Sequence, residues 1–270
     1  MSKNVPLTEQ EFKTYKPDKR FIEIIERYQK EYQLAPSQLN ILDWGCGRGR
    51  SVLWFRKRGY NAYGVDIDET PIENGKILFR KLDQNSDSLQ QMNPDGTINF
   101  GDSFFHVVYS DQVFEHIENL GDVAKEMSRV MVSGGRGLHI FPPHLHFSEK
   151  HLYMPFIHWL PKNKLRKNLI SLYVKLGIEP KWQELKHKNS QEKTDVYYEY
   201  STQKTFYRKP GEIKNVFKLF GLRGTFDTVS NPSVTGHTIL EKLTKITPIK
   251  NVLNQLLIRH IRTEFHISKP

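Results

Sequence analysis

Three glycines and an aspartate give this chain its first chemical signal. Ile41-Leu42-Asp43-Trp44 is a short apolar run that breaks at Gly45-Cys46-Gly47-Arg48-Gly49, and Asp66 follows after a second apolar run, Asn61 to Val65. A run closed by glycines and followed by an amphipathic segment reads as a buried strand turning into a helix. Glycine lets the backbone come close to a ligand, because there is no Cβ and positive φ is allowed. The start of the helix offers unpaired N–H groups to an anion. An acid at the tip of the next strand, about 20 residues on, can accept hydrogen bonds from ribose hydroxyls. Together these residues suit an adenosine-containing ligand.

Spacing narrows the ligand. A dinucleotide fingerprint needs G-x-G-x-x-G, but Arg50 stands where the third glycine should fall, and the Gly-Lys-Ser/Thr of a P-loop is absent. Hydrophobic-Leu-Asp-x-Gly-Cys-Gly-x-Gly instead resembles motif I of the class I S-adenosylmethionine-dependent methyltransferases, a small-molecule, methyltransferase type 11-like subgroup. The resemblance implies a Rossmann-like, doubly wound seven-stranded α/β sheet with S-adenosyl-L-methionine as cofactor. It implies that Asp43 and the loop Gly45, Cys46, Gly47 and Gly49 position the methionine part, and that Asp66, with Ile67, holds the ribose side. Cys46, the single cysteine, reads as a small packing residue.

The resemblance continues along the chain. Asn93-Pro94-Asp95-Gly96 is a turn signal; the family places an adenine-contacting acid here, so Asp95 and Gly96 read equally as turn formers or as cofactor contacts. Phe104 to Ser110 is a buried strand leading into Asp111-Gln112-Val113-Phe114-Glu115-His116, similar to the family's fourth strand and the Glu-His after it. That likeness sets the backbone of Ser110, Asp111 and Gln112 beside the methionine moiety. Some relatives bind a divalent ion through Glu-x-x-Glu-His. Here the first position is Gln112, which argues against a metal. "RVMVSGGRGLHIFPP" resembles the family's passage from helix to fifth strand, with the strand expected at Leu138 to Phe141.

Those motifs must be positioned by elements that the hydrophobic pattern also marks. Asp18 to Gln33 carries Phe21, Ile24, Ile25 and Tyr28 at helical spacing and reads as a cover over the cofactor or as core packing. Thr70-Pro71 opens a helix with Ile72, Ile77, Leu78 and Leu82 facing the sheet. A weak third strand falls within Leu89 to Met92, and Leu120 to Val132 is an amphipathic helix. Residues 143–200 leave the core pattern and read as an inserted lid that shapes the acceptor pocket. His116, His144 and His146 are candidates for acceptor binding or proton removal, each also readable as a packed side chain. Zinc is not expected there, with no cysteine partner and no HExxH.

Phe206 to Phe220 is helical, and Gly224 to Val229 and Gly236 to Leu240 are the expected sixth and seventh strands. The expected division is a cover (1–39), a cofactor core (40–142), the lid (143–200), completion of the sheet (201–248) and a basic amphipathic tail (249–270). Such a tail can lie on an anionic membrane, pack on its own domain or join a homodimer.

Composition bounds the rest. With 270 residues, 37% hydrophobic and 26% charged, the chain can bury one large α/β core. The absence of a long apolar run, the polar start and the lone cysteine suggest a cytoplasmic protein. A formal net charge of +10 suits an anionic partner. No arginine-rich run with interleaved aromatics appears, so a small anionic or sugar-containing acceptor ranks above nucleic acid. Pro155-Phe156-x-His158-Trp159-x-Pro161 loosely resembles methyltransferases of bacterial surface-glycan synthesis. RNA or protein methylation, and a non-catalytic binding protein, are the rival readings.

Overall fold

The computed structural model describes residues 5–227, 254, 256, 258, 259 and 262–270. Strands β1 (Asn40–Trp44), β2 (Asn61–Asp66), β3 (Leu89–Gln91), β4 (Phe105–Asp111), β5 (Met131–Phe141), β6 (Arg223–Phe226) and β7 (Thr263–Ser268) form one sheet in the order β3-β2-β1-β4-β5-β7-β6. All pairings are parallel except those of β7, which runs antiparallel to both β5 and β6. The chain order reverses beside β1, and both β1 and β4 end there. In open α/β sheets this crevice, at the carboxyl ends of the strands, takes ligands.

Alternation along the strands sends side chains to two layers. Ile41, Val107 and Tyr109 join a core with α2 (Lys19–Tyr32), α3 (Arg50–Arg56) and α4 (Glu69–Lys81). Leu42, Phe105 and Val108 face α5 (Leu120–Val130) and α8 (Pro210–Leu219) in a second. Helix α2 buries Phe21, Ile25 and Tyr28, so it is a packing layer of the sheet. The short α1 (Glu9–Lys13) and Tyr15 are what reach toward the loop after β1. In α4 Ile77 is exposed and Phe79 takes the inward place: Asp68 rather than Thr70 is the N-cap, and Gly75, Leu78 and Phe79 form the buried face.

Two expectations move at the far end of the sheet. Strand β5 begins at Met131, seven residues before the expected Leu138. Its register on β4 shifts between the pairs Phe105↔Met131 and Val107↔Arg136, so the Ser133-Gly134-Gly135 turn signal is absorbed as an irregularity within the strand, with Gly134 at φ 77°. The seventh strand is Thr263–Ser268, drawn from the segment expected as a tail; Gly236 to Leu240 lies outside the described residues. Asn254, Leu256, Ile258 and Arg259 are helical.

Between β5 and α8, where the insertion is expected, the chain builds a helical segment with α6 (Lys164–Lys175) and α7 (Ser190–Gln203). It has its own small core of Leu152, Met154, Ile157, Ile170, Val174, Leu185 and Tyr197. Among the described residues no helix is long and apolar enough to cross a membrane.

Candidate active site

The glycine loop is pinned beneath β2: the N–H groups of Gly45 and Cys46 both donate to the Val65 carbonyl, at 2.8 and 2.9 Å. Its three glycines have positive φ but different reasons for being glycine. A Cβ on Gly45 would lie 2.4 Å from Val113, and one on Gly49 would lie 2.6 Å from Leu89. Both are needed for close packing. A Cβ on Gly47 would meet nothing within 4 Å, so Gly47 alone faces open space. Cys46 packs over Gly64, where a Cβ would sit 2.7 Å from its sulfur.

Asp66 closes the loop from the next strand. Its Oδ2 accepts from the Gly47 N–H at 2.7 Å and its Oδ1 from the Asp68 N–H at 3.1 Å. Each carboxylate oxygen has room for a second donor, so two hydroxyls can still be held. Ile67 beside it is 68% exposed, an apolar surface at the mouth of the crevice. Asp43, at the tip of β1, is almost fully buried, and its carboxyl is raised well above the usual range by that burial and then by the nearby charges of Asp111 and Asp66. Three carboxylates therefore gather at one edge.

The surroundings complete this edge. Tyr15 is held under the Arg50 guanidinium, 4.7 Å from its ring centroid, close enough to Asp43 and Asp111 to feel their charges. Arg48 ties the N-terminal segment down, donating to Glu11 Oε1 at 2.8 Å and to the Val5 and Pro6 carbonyls. Ser110 points away from the crevice, bonded to His139 Nδ1 at 2.8 Å. Gln112 has φ 57° and sends its N–H to the Ile140 carbonyl at 2.8 Å. Asp95 is exposed and its carboxylate accepts from both the Thr97 N–H and hydroxyl, at 3.0 and 2.6 Å, with Gly96 at φ 82° completing the turn. The turn-forming reading accounts for those contacts.

Where the insertion meets β4 a second polar group assembles. His116 stands 3.2 Å from His151, Nε2 to Nε2, and its Nδ1 is 2.7 Å from the Lys204 carbonyl. His151 Nδ1 is 2.9 Å from the fully buried Glu149, which also accepts from the Tyr207 hydroxyl at 2.6 Å and the His151 N–H at 2.8 Å. Burial raises the Glu149 carboxyl, but the bonds from His151 and Tyr207 outweigh it and its pKa is lowered. Glu115 beside them is buried and raised to about 8, first by desolvation and then by Asp111 and Glu149. A recess about the size of a water, lined by Phe114, Leu120, Phe141 and Phe206, adjoins Glu115 and Tyr207, with Arg208 among its walls.

Of the expected histidines, His116 alone belongs to this group. His146 turns its Nδ1 onto the backbone of Ser148, 2.7 Å from the carbonyl, and burial lowers its pKa. His144 is half-buried at the root of the insertion. Tyr15, Glu149, His151 and Tyr207 are candidate site residues that the linear sequence does not single out. Glu149 and His151 sit two apart, but Tyr207 is 58 residues farther on, and only the fold joins them.

Residues 42–138 match the sequence profile of a family described as a methyltransferase domain. Over that segment, which carries the glycine loop and Asp66, the chain is similar to a methyltransferase domain. A ubiquinone biosynthesis O-methyltransferase from Rickettsia typhi is 32% identical over 97 residues, which is 36% of this chain and 38% of that relative. The chain thus matches well under half the length of that curated protein. Among solved structures, a geranyl diphosphate C-methyltransferase from Streptomyces coelicolor A3(2) superposes with a TM-score of 0.50 at 15% identity, covering 92% of this chain and 79% of that one. A phosphoethanolamine N-methyltransferase from Haemonchus contortus gives 0.50 at 13% identity, over 92% of this chain and 52% of its own. At such identities these two carry the methyltransferase fold and nothing finer. The matched segment ends before the helical insertion begins, so the likeness lies on the cofactor side.

Proposed function

We propose that this chain transfers a methyl group from S-adenosylmethionine to an oxygen or nitrogen of a small, anionic acceptor held between the sheet edge and the helical insertion. The reading rests on one observation above all: Asp66 is anchored by Gly47 and Asp68 yet keeps hydrogen-bonding capacity, at the tip of the strand next to the glycine loop. Asp66 would grip the ribose hydroxyls, Ile67 would lie against the adenine, and open space at Gly47 would admit the amino-acid part. The raised carboxyl groups of Asp43 and Asp111, close to Asp66, would be favoured in their charged form by a ligand that carries positive charge. The cofactor supplies a methyl group already activated on a sulfonium, so the protein's task is to place the acceptor atom in line with it and, for a hydroxyl, to take its proton.

A net charge of +10 favours an acceptor that carries an anionic group, a sugar phosphate or an aromatic acid among them. The name of the Rickettsia relative adds weight to oxygen. His116 would take the acceptor's proton on Nε2, since its Nδ1 is engaged by the Lys204 carbonyl; His144 and His146 would serve the structure of the insertion.

The test has two arms. Calorimetry should show binding of S-adenosylmethionine and its demethylated product, and Asp66→Ala should weaken it by about 1.5–3 kcal/mol for each charge-assisted hydrogen bond lost, more than roughly tenfold. Release of S-adenosylhomocysteine across a panel of phenolic, carboxylated and sugar-phosphate acceptors reads the transfer. Undiminished cofactor affinity in a folded Asp66→Ala variant would refute the assignment.

A further inference from the structure

We infer that the helical segment between β5 and α8 docks on an anionic membrane surface, through the turn at 147–159 and one side of α6. The segment buries Leu152, Met154, Ile157, Ile170 and Val174 in its own core. Yet Phe147, Tyr153, Phe156 and Trp159 stay exposed, and so do Leu165, Leu172 and Leu176. Apolar side chains scattered singly on a surface mean little, whereas contiguous ones mark a place of contact.

Both sets are contiguous. The Phe156 ring lies 4.7 Å from that of Phe147 and 4.9 Å from that of Trp159, centroid to centroid. Leu165, Leu172 and Leu176 recur at i, i+7 and i+11, which stacks them in one stripe along α6. The half-buried Leu169 falls in the same stripe at i+4. Another side of α6 already packs inward through Ile170 and Val174, so the stripe is a second apolar face. The aromatic turn abuts the start of the helix, where Arg166 Nε donates to the Leu160 carbonyl at 3.0 Å.

The turn is built to hold its rings out. Leu152 and Met154 are fully buried on either side of Tyr153, which is left 68% exposed. Tyr153 and Phe156 have φ 56° and 59°, a left-handed backbone that bulky side chains rarely adopt. The buried Glu149 carboxylate fixes the turn from within, accepting from the His151 and Leu152 N–H groups.

Charge selects the occupant. From 143 to 182 the acids are Glu149, which is buried, and Glu179, which pairs with Lys193 at 2.6 Å. Lys150, Lys162, Lys164 and Lys175 are exposed over the same stretch and enter no ion pair among the described residues. Lys164 and Lys175 lie beside the leucine stripe, about a quarter turn round α6. Aromatic rings and leucines rimmed by lysine suit the boundary between anionic headgroups and acyl chains, and each lysine there adds attraction. A second copy of the chain would instead bring the same unpaired lysines face to face. Among the described residues no helix can cross a membrane, so this contact is peripheral. The tail expected to lie on a membrane gives its last residues to β7.

The full chain should sediment with vesicles of equal parts phosphatidylglycerol and phosphatidylcholine, not with phosphatidylcholine alone, and binding should weaken as salt rises. On the anionic vesicles its tryptophan emission should move to shorter wavelength, and Trp159→Phe should keep the binding but lose most of the shift. Leu172→Gln with Leu176→Gln, and Lys164→Gln with Lys175→Gln, alter exposed side chains only. Each pair should lower the partition coefficient about tenfold or more, with unchanged far-ultraviolet dichroism. The assignment is overturned by no binding to anionic vesicles, by undiminished binding in both folded pairs, or by a full shift in Trp159→Phe. A dimer in sedimentation equilibrium that the leucine pair dissolves would equally overturn it, giving the face to a second copy. None of these measurements involves the cofactor or the acceptor, so the methyltransferase reading stands or falls separately.

Discussion

His139 sits near the C-terminal end of β5 with no exposed surface, its ring stacked on Phe114 at 4.5 Å between centroids and its Nδ1 bonded to Ser110. Desolvation, reinforced by His266, drops its pKa to about 3. The unfolded chain binds a proton near pH 6.5, whereas the native ring refuses it until about 3. Stability from the neutral ring is therefore complete above pH 6.5 and drains away as pH falls toward 3. Between pH 7 and 5 this should remove about 2 kcal/mol at roughly 1.4 kcal/mol per unit. His139→Phe keeps the stacking shape and removes the titration. Denaturant unfolding at pH 7 and 5 should show a smaller acid loss in the variant than in the parent; equal losses would rule this residue out as a source.

At the scale of elements, the glycine loop is held from above by α4 as well as from below by β2. A Cβ on Gly75 of α4 would lie 2.4 Å from the carbonyl oxygen of Arg48, and a backbone atom cannot step aside as a side-chain tip can. Alanine normally favours a helix interior over glycine by about 1 kcal/mol. Here overpacking should win, and Gly75→Ala should destabilise by about 1–3 kcal/mol while weakening cofactor binding, since any shift of α4 displaces the Arg48 carbonyl. A variant that melts higher and binds as before would show that the contact relaxes freely. The loop, Asp66 and strands β1, β2 and β4 could be read from the chain because each is encoded locally, by glycine spacing or an apolar run. Gly75 could not: a lone glycine within a helical pattern does not announce which backbone it touches. The pairing of His116 with His151 was hidden for the same reason, since two loops from different elements create it.

The whole molecule is closed by the segment whose role was hardest to see. β7 has no local signature stronger than its alternation in Thr263-Glu264-Phe265-His266-Ile267-Ser268, and as an antiparallel strand wedged between β5 and β6 it depends on partners far back in the chain. Phe265 is fully buried in the second core. Glu264 is also buried, and it pairs with Arg20 of α2, 244 residues away. Arg20 in turn is held by Asp18, which Arg262 also contacts at 3.2 Å. The ion pair thus locks the helix that opens the main layer to the strand that completes the sheet. A buried pair adds little net energy when whole, yet removing one partner strands the other charge and costs about 3–5 kcal/mol. Glu264→Ala should fall toward the lower end of that range, because Asp18 still partners Arg20. Chemical unfolding should read this loss, and hydrogen exchange should place it in β5, β7 and α2 rather than in α6 and α7, which pack around a core of their own. A loss below about 1 kcal/mol, or one shared evenly with the insertion, would mean that β7 is held by its ladder and Phe265 alone.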